Sequence, residues 1–159
     1  MADSSTGSRT PTSTADAVLL YDGTCGFCAA SVQFVLRHER RATLRFATLE
    51  GPLGEGARRS HPELAGVDSV VWVEPARGRV LVRSDAALAV AAYLGGPWRA
   101  LAALGRLVPR RLRDAVYDLI ARNRYRIAGR VEACPVPTPE QRGRFIDGPG
   151  PVAFSGQVG

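Results

Sequence analysis

The chain has no lysine: all 21 of its basic side chains are arginine. No ammonium group is therefore available to activate a thiol. Long apolar runs are also missing. The longest, AALAVAAYL at Ala86 to Leu94, is about half of what a bilayer span requires. The first sixteen residues, MADSSTGSRTPTSTAD, lack large apolar groups and cannot offset the entropy of ordering, so a flexible tail is expected there. They also lack the cationic start and apolar core of a secretory peptide. Cysteine is scarce, and the odd total of three fits a reducing compartment better than a secreted disulfide framework. Together these absences lead to the expectation of a cytoplasmic protein without a membrane span.

Histidine is scarcer still, with His38 and His61 only. A structural zinc site needs four ligands. Cys25 and Cys28 supply two, leaving Cys134, His38 and His61 for the rest, with no second paired knuckle. His38 lies nearly three helical turns beyond Cys28, about 15 Å by helical rise. No metal and no other cofactor is expected, although a metal or iron-sulfur site remains an alternative use of the cysteines.

Hydrophobic residues make up 45% of the 159, enough for one domain with a proper core. The charge of +6 is unevenly placed. Residues 1–98 hold ten arginines against ten acids, 99–144 hold eleven against four, and Asp147 stands alone after them. The basic third reads as a solvated helix face, with an acidic partner at the arginine-rich residues 99–130 as the alternative.

AVLLYD reads as a buried strand ending at the Asp22-Gly23 turn. An amphipathic helix from about Thr24 to His38 follows, burying Cys28, Val32, Val35 and Leu36. Thr43 to Leu49 alternates as a second strand. Glu50 to Gly66 is expected to be a loop with a helical turn around Gly56 to His61. Ser69 to Glu74 and Arg79 to Arg83, joined by Pro75 to Gly78, read as a β-hairpin. Ser84 is positioned to cap a helix running from Asp85 to Leu94, which Gly95-Gly96 stops. Pro97 and Pro109 open two more helices. In the longer one Leu112, Ala115, Val116, Leu119, Ile120 and Ile127 form a stripe expected to pack on the core. The fold class is thus α/β, a mixed four-stranded sheet in the order β-α-β-β-β-α with two extra C-terminal helices. Its parts are a tail (1–16), a core (17–96), a helical extension (97–130) and an irregular C-terminal segment (131–159).

The stretch YDGTCGFC places two cysteines three positions apart at the start of a helix. A metal clip, a structural disulfide and an electron-trading pair all fit that spacing. A thiolate is the working nucleophile, and a helix N-terminus favours negative charge on a cysteine placed there. Cys25 is expected to be exposed at that end and Cys28 shielded within the first turn. This asymmetry suits exchange, with Cys25 attacking a substrate disulfide and Cys28 resolving the mixed disulfide. Gly26 would leave the backbone open to a partner. Phe27 would offer an apolar contact to the incoming chain or pack on the neighbouring loop. Asp22 either begins the turn or joins the catalytic group. Arginines of the ARNRYR run (Ala121 to Arg126) read as the exposed end of a helix.

YDGTCGFC also resembles the signature of the DCC family of thiol-disulfide oxidoreductases, which are similar to thioredoxins in fold. The likeness extends through SDAALAVAAYLG (Ser84 to Gly95), Pro97-Trp98, VPRRLRDAVYDLIARNRYRIAG (Val108 to Gly129) and ACPVPTPEQRGRF (Ala133 to Phe145). It implies a thioredoxin-like core and a disulfide-containing protein or small-molecule thiol as substrate. It also implies a role for Cys134, where the family has a cysteine. Thr24 and Phe27 stand where thioredoxins carry tryptophan and proline. Val67, Asp68 and Ser69 replace the stretch in which thioredoxins carry a cis-proline. A non-catalytic binding module, whose basic helices (99–130) hold a nucleic acid or an acidic protein with the cysteines structural or metal-bound, is the reading of a different class.

Overall fold

A computed structural model describes residues 17–129 and 138–146. The tail 1–16 lies outside the described residues, as does most of the 131–159 segment. Strand β1 (Val18–Tyr21) is central, with all four residues buried. It pairs in parallel with β2 (Arg45–Thr48) and antiparallel with β3 (Val71–Glu74), which pairs antiparallel with β4 (Arg79–Val82). The order is β2-β1-β3-β4, so β3 alone runs against the other three.

Alternation of side chains along β1 splits the core into two layers. Leu19 and Tyr21 pack with Cys28, Val32 and Val35 of helix α1 (Gly26–His38), and with Phe46, Trp72, Ala86 and Leu94. Val18 and Leu20 face the opposite way, toward Ala47, Leu49, Leu64 and Val71. A strand covered on both faces loses its polar alternation, which is why VLLY is continuously apolar. The mixed four-stranded sheet between helices is that of a thioredoxin-like fold.

Three local expectations are corrected. Glu50 to Gly66 holds helix α2 (Pro52–Ser60) and a 3-10 turn (Pro62–Leu64), more than one helical turn in a loop. Pro52 occupies the first helical position, where its missing N–H costs nothing. Gly54 is needed because a Cβ there would stand 2.4 Å from the Leu49 carbonyl oxygen. Composition rich in glycine and proline thus records close packing onto the strand, and not an absence of structure. Ser84 is no cap: helix α3 (Arg83–Leu94) begins before it, with Val82 at the N-cap. The Ser84 hydroxyl is buried and donates to the Asp114 carboxylate.

The third correction concerns the C-terminal helices, α4 (Gly96–Leu107) and α5 (Arg110–Ala128). Leu112, Ala115, Val116, Leu119, Ile120 and Ile127 of α5 are exposed, Leu119 at 61%. Leu101, Leu104 and Leu107 of α4 are exposed as well. The inward face of α5 carries Arg113, Asp114, Tyr117, Ala121, Arg124 and Tyr125. Polar pairing holds that face. Arg113 meets Asp85 at 3.1 Å, Arg110 meets Asp85 at 3.3 Å, and Arg124 meets Asp68 at 2.7 Å. Periodicity shows that a helix is two-faced, whereas partners on other elements decide which face is covered.

Residues 138–146 close the free edge of β2. Thr138 and Gln141 form a reciprocal capping box on the short helix α6 (Pro139–Arg142). Phe145 then forms a parallel bridge with Phe46, with the Phe46 N–H donating to the Arg144 carbonyl at 2.9 Å. The Arg144 guanidinium pairs with Glu39 and donates from Nε to the Leu44 carbonyl at 2.9 Å. A covered edge offers no template for another chain. Among the described residues no helix is long and apolar enough to cross a membrane.

Candidate active site

At the end of β1, Asp22 turns the chain. Its Oδ1 accepts from the Thr24 N–H and from the Thr24 hydroxyl, both at 2.8 Å. That side-chain-to-backbone bond two residues on makes an Asx turn. The turn leaves Cys25 with extended backbone (φ −91°, ψ 119°) at the N-cap of α1. Cys28 follows within the first turn, on the face that packs against β1. Both thiols are free.

Cys25 is not exposed, in contrast to the sequence expectation. It is 0% accessible and Cys28 is 1% accessible. Nor is Gly26 left open to a partner. The end of α5 lies against it, with the Gly26 N–H donating to the Gly129 carbonyl at 3.3 Å. A Cβ on Gly26 would stand 2.5 Å from the Ala128 oxygen and 3.0 Å from that of Gly129. Local sequence places Cys25 at a helix start, and the returning helix packs its end against the next residue, Gly26. Gly26→Ala should therefore push the end of α5 off the cysteine loop. Iodoacetamide labelling of Cys25 in the folded variant is expected to accelerate several-fold, with about 1–3 kcal/mol of stability lost to overpacking. An unchanged labelling rate would show that α5 does not control access.

The Cys28 thiol is pushed up to about 12 by burial, by the adjacent Cys25 sulfur and by a hydrogen bond with that side chain. At neutral pH it is a proton-bearing thiol. Asp22 behaves in the opposite way. Burial works to raise its carboxyl, but bonds from Thr24 and Tyr125 and the charge of Arg124 outweigh it and hold it below the usual carboxylate range. The Tyr125 hydroxyl donates to Asp22 Oδ2 at 3.0 Å, and Arg124 Nη2 lies 3.7 Å from that oxygen.

Arg124 is the residue of the candidate site that sequence reasoning missed. Far from marking an exposed helix end, it is 2% accessible, and its guanidinium donates to the Asp68 carbonyl and to the Tyr125 hydroxyl (3.0 Å). Burial opposes its charge. Asp68, Tyr125 and the nearby Cys25 sulfur more than compensate, keeping its pKa above the ordinary range. Tyr117, Ala121, Arg124 and Tyr125 recur at helical spacing opposite the leucines, which is the sequence signal that could have found it. Asp68, in the segment that departs from thioredoxins, is thereby part of the site.

The remaining candidates are dispersed. Thr24 is exposed and serves Asp22. Phe27 is half-buried and packs on the core. His38 stacks on Phe34 at 4.2 Å, and His61 pairs with Glu63 at 3.1 Å, so neither joins the cysteines. Cys134 lies outside the described residues. Among the described residues no three His, Cys, Asp or Glu side chains are grouped to hold a metal ion.

The DCC1-like thiol-disulfide oxidoreductase family matches residues 19–130. YuxK of Bacillus subtilis, itself described as uncharacterized, is 37% identical over 130 residues, covering 81% of this chain and 93% of that protein. A chloroplastic DCC family protein of Arabidopsis thaliana is 34% identical over 118 residues, covering 74% of this chain and 67% of that one. No solved structure matches the chain significantly. With the family match running from β1 to the end of α5, this chain belongs to the DCC1-like thiol-disulfide oxidoreductase family.

Proposed function

We propose that the chain exchanges thiols and disulfides through Cys25 and Cys28, with Cys25 as nucleophile and Cys28 as resolving thiol. The carrying observation is the pair of free cysteines one turn apart at the start of α1, within electrostatic reach of the buried positive charge of Arg124. The Cys25 thiolate attacks one sulfur of a substrate disulfide. A Cys25–substrate bond forms, and the other substrate sulfur leaves as a thiolate that takes up a proton. Cys28 then loses its proton to solvent or to the departing sulfur and attacks Cys25. The Cys25–Cys28 disulfide forms and the second substrate thiol is released. The substrate gains two electrons and the pair loses two. A cellular thiol of the glutathione or dithiol class returns the pair to the reduced form.

Asp22 is a poor base in this scheme because its partners hold it ionised. Its part is to shape the turn that presents Cys25 and to keep Arg124 in place. Since both cysteines are buried, exchange requires the cysteine loop to open, and the bond from Gly26 to Gly129 is a contact that would give way. Substrates are disulfides of proteins or small molecules. The reading with an acidic partner at residues 99–130 has less to draw on, because Arg110, Arg113 and Arg124 are already paired with Asp85, Asp114 and Asp68.

Intact mass and peptide mapping test the proposal. Treatment with glutathione disulfide should remove two hydrogens from the peptide holding Cys25 and Cys28, and dithiothreitol should restore them. A pair that stays reduced, or a metal that co-purifies and leaves only with chelator, would overturn it.

A further inference from the structure

Helix α5 turns polar side chains inward and apolar ones outward, the reverse of an ordinary surface helix. The reversal is most pronounced where α4 and α5 meet, at Val108-Pro109. Leu104, Leu107, Leu112 and Val116 all stand in solvent within about two turns of that corner, and Leu107 is 81% exposed. Leu119 and Ile127 continue the row along α5. One exposed leucine is ordinary, but a row of this size marks an interaction surface. Nor is the corner loose. Arg113 holds it from the inner side, donating from Nε to the Val108 carbonyl and from Nη1 to Asp85, both at 3.1 Å.

Charge decides what covers this face. Between residues 96 and 129 every exposed charged side chain is an arginine, and the two acids of the stretch, Asp114 and Asp118, are half-buried and paired with Arg110 and Arg83. Arg99, Arg106, Arg111, Arg122 and Arg126 make no ion pair among the described residues, unlike Arg110, Arg113 and Arg124. At 3.6 residues per turn, Arg111, Arg122 and Arg126 fall along one flank of the row of Leu112, Leu119 and Ile127, so cations border the apolar strip. A second copy would set the same positive charge against this one. A nucleic acid would meet the arginines but give the leucines nothing, since its affinity comes from phosphate contacts. A protein partner needs a surface of matching shape, whereas a side chain as exposed as Leu107 projects instead of lining a groove. Anionic lipid answers both features: projecting apolar groups enter the acyl boundary, and the arginines beside them reach headgroup phosphates.

We infer that the corner between α4 and α5 docks on an anionic lipid surface, with Leu104, Leu107, Leu112 and Val116 in the acyl boundary and Arg106 and Arg111 at the headgroups. The chain would lie on the bilayer without spanning it. Docking needs no exchange chemistry, so the inference stands apart from the proposed reaction.

Co-sedimentation of the full chain with vesicles tests the inference, using equal parts of phosphatidylcholine and phosphatidylglycerol in one set and phosphatidylcholine alone in the other. The chain should bind the mixed vesicles about tenfold or more tightly than the neutral ones, and raised salt should weaken the binding. Arg106→Gln combined with Arg111→Gln should cost about tenfold in affinity for the mixed vesicles. Arg41→Gln combined with Arg59→Gln removes the same charge from exposed sites elsewhere and should cost less than about twofold. Leu104→Ser combined with Leu107→Ser should also cost about tenfold, in a chain that melts normally. Leu107→Trp reports depth: its new indole should shift to the blue on mixed vesicles and be quenched by lipids brominated on the acyl chain, beyond the signal that Trp72 and Trp98 give in the parent chain. Failure to bind the mixed vesicles, binding that survives the two leucine substitutions, or a new indole that stays in water would each overturn the inference. A dimer that the leucine substitutions dissolve would assign the face to a second copy, and retention of a soluble acidic helical peptide without vesicle binding would assign it to a protein; either result overturns it as well.

Discussion

Cys25→Ser is expected to lower disulfide turnover by about a thousandfold or more, since among the described residues Cys28 is the one other sulfur beside it. Cys28 cannot substitute at ordinary pH. Pushed up to about 12 in the parent chain, that thiol stays protonated at pH 8. Burial is the first cause of that value and survives the removal of Cys25. Alkylation of Cys28 in the Cys25→Ser chain should accordingly stay slow and rise with pH well into the alkaline range. Cys28→Ser should behave differently: the first attack proceeds, resolution fails, and a mixed disulfide accumulates on Cys25. Its mass increase equals one substrate half and disappears with dithiothreitol. Turnover untouched by either substitution, or an adduct that forms on Cys28 in the Cys25→Ser chain at neutral pH, would remove the assigned roles.

The second large effect belongs to Arg124. Arg124→Met removes the positive partner from a buried cluster and leaves Asp22 and the Asp68 carbonyl without it. Breaking one side of such a cluster costs about 3–5 kcal/mol, against less than about 0.5 kcal/mol for Arg111→Met on the exposed side of the same helix. Urea midpoints at pH 7 would measure both. Equal losses would mean that the Arg124 cluster contributes nothing beyond an ordinary surface arginine. Asp22→Asn should cost about 1–3 kcal/mol at neutral pH, because the amide keeps the shape but cannot offer Thr24, Tyr125 and Arg124 a charged acceptor. The sign with pH follows from the lowered carboxyl. Its contribution is complete above the pKa of the unfolded chain, near 4, and is lost as pH falls through the lower folded value. The gap between the parent chain and Asp22→Asn should therefore be widest at neutral pH and close in acid. The same variant separates turn from catalysis: if Asp22 only shapes the loop, the pH dependence of Cys25 labelling stays that of the parent chain.

Why the site was half-legible is visible in individual residues. Cys25 and Cys28 announce themselves because their chemistry needs adjacency along the chain, and a helix start supplies it with few residues. Asp22 does so in part, since an Asx turn is a contact two residues long. Arg124 is about a hundred positions away. Its partners Asp22 and Asp68 come from two other loops, so no window of sequence contains the cluster. Cys25 looked exposed for a similar reason: the loop that holds it is met at Gly26 by the Gly129 carbonyl, which arrives from the far end of α5.

The same division holds for the fold. Val18 to Tyr21, Val71 to Glu74 and the turn at Pro75 to Gly78 carry their own signals, so the α/β class and the strand order along the chain are properties of local pattern. Alternation and helical period are short-range, and each element reports them by itself. Which side of α5 meets the core is a different kind of fact. Leu112, Val116 and Leu119 form the stripe that hydrophobicity alone would bury, yet Arg113 and Arg124 turn the opposite side inward through Asp85 and Asp68. An amphipathic pattern says that two faces exist; only partners brought together by tertiary structure choose between them. Here that choice carries a positive charge to the thiols.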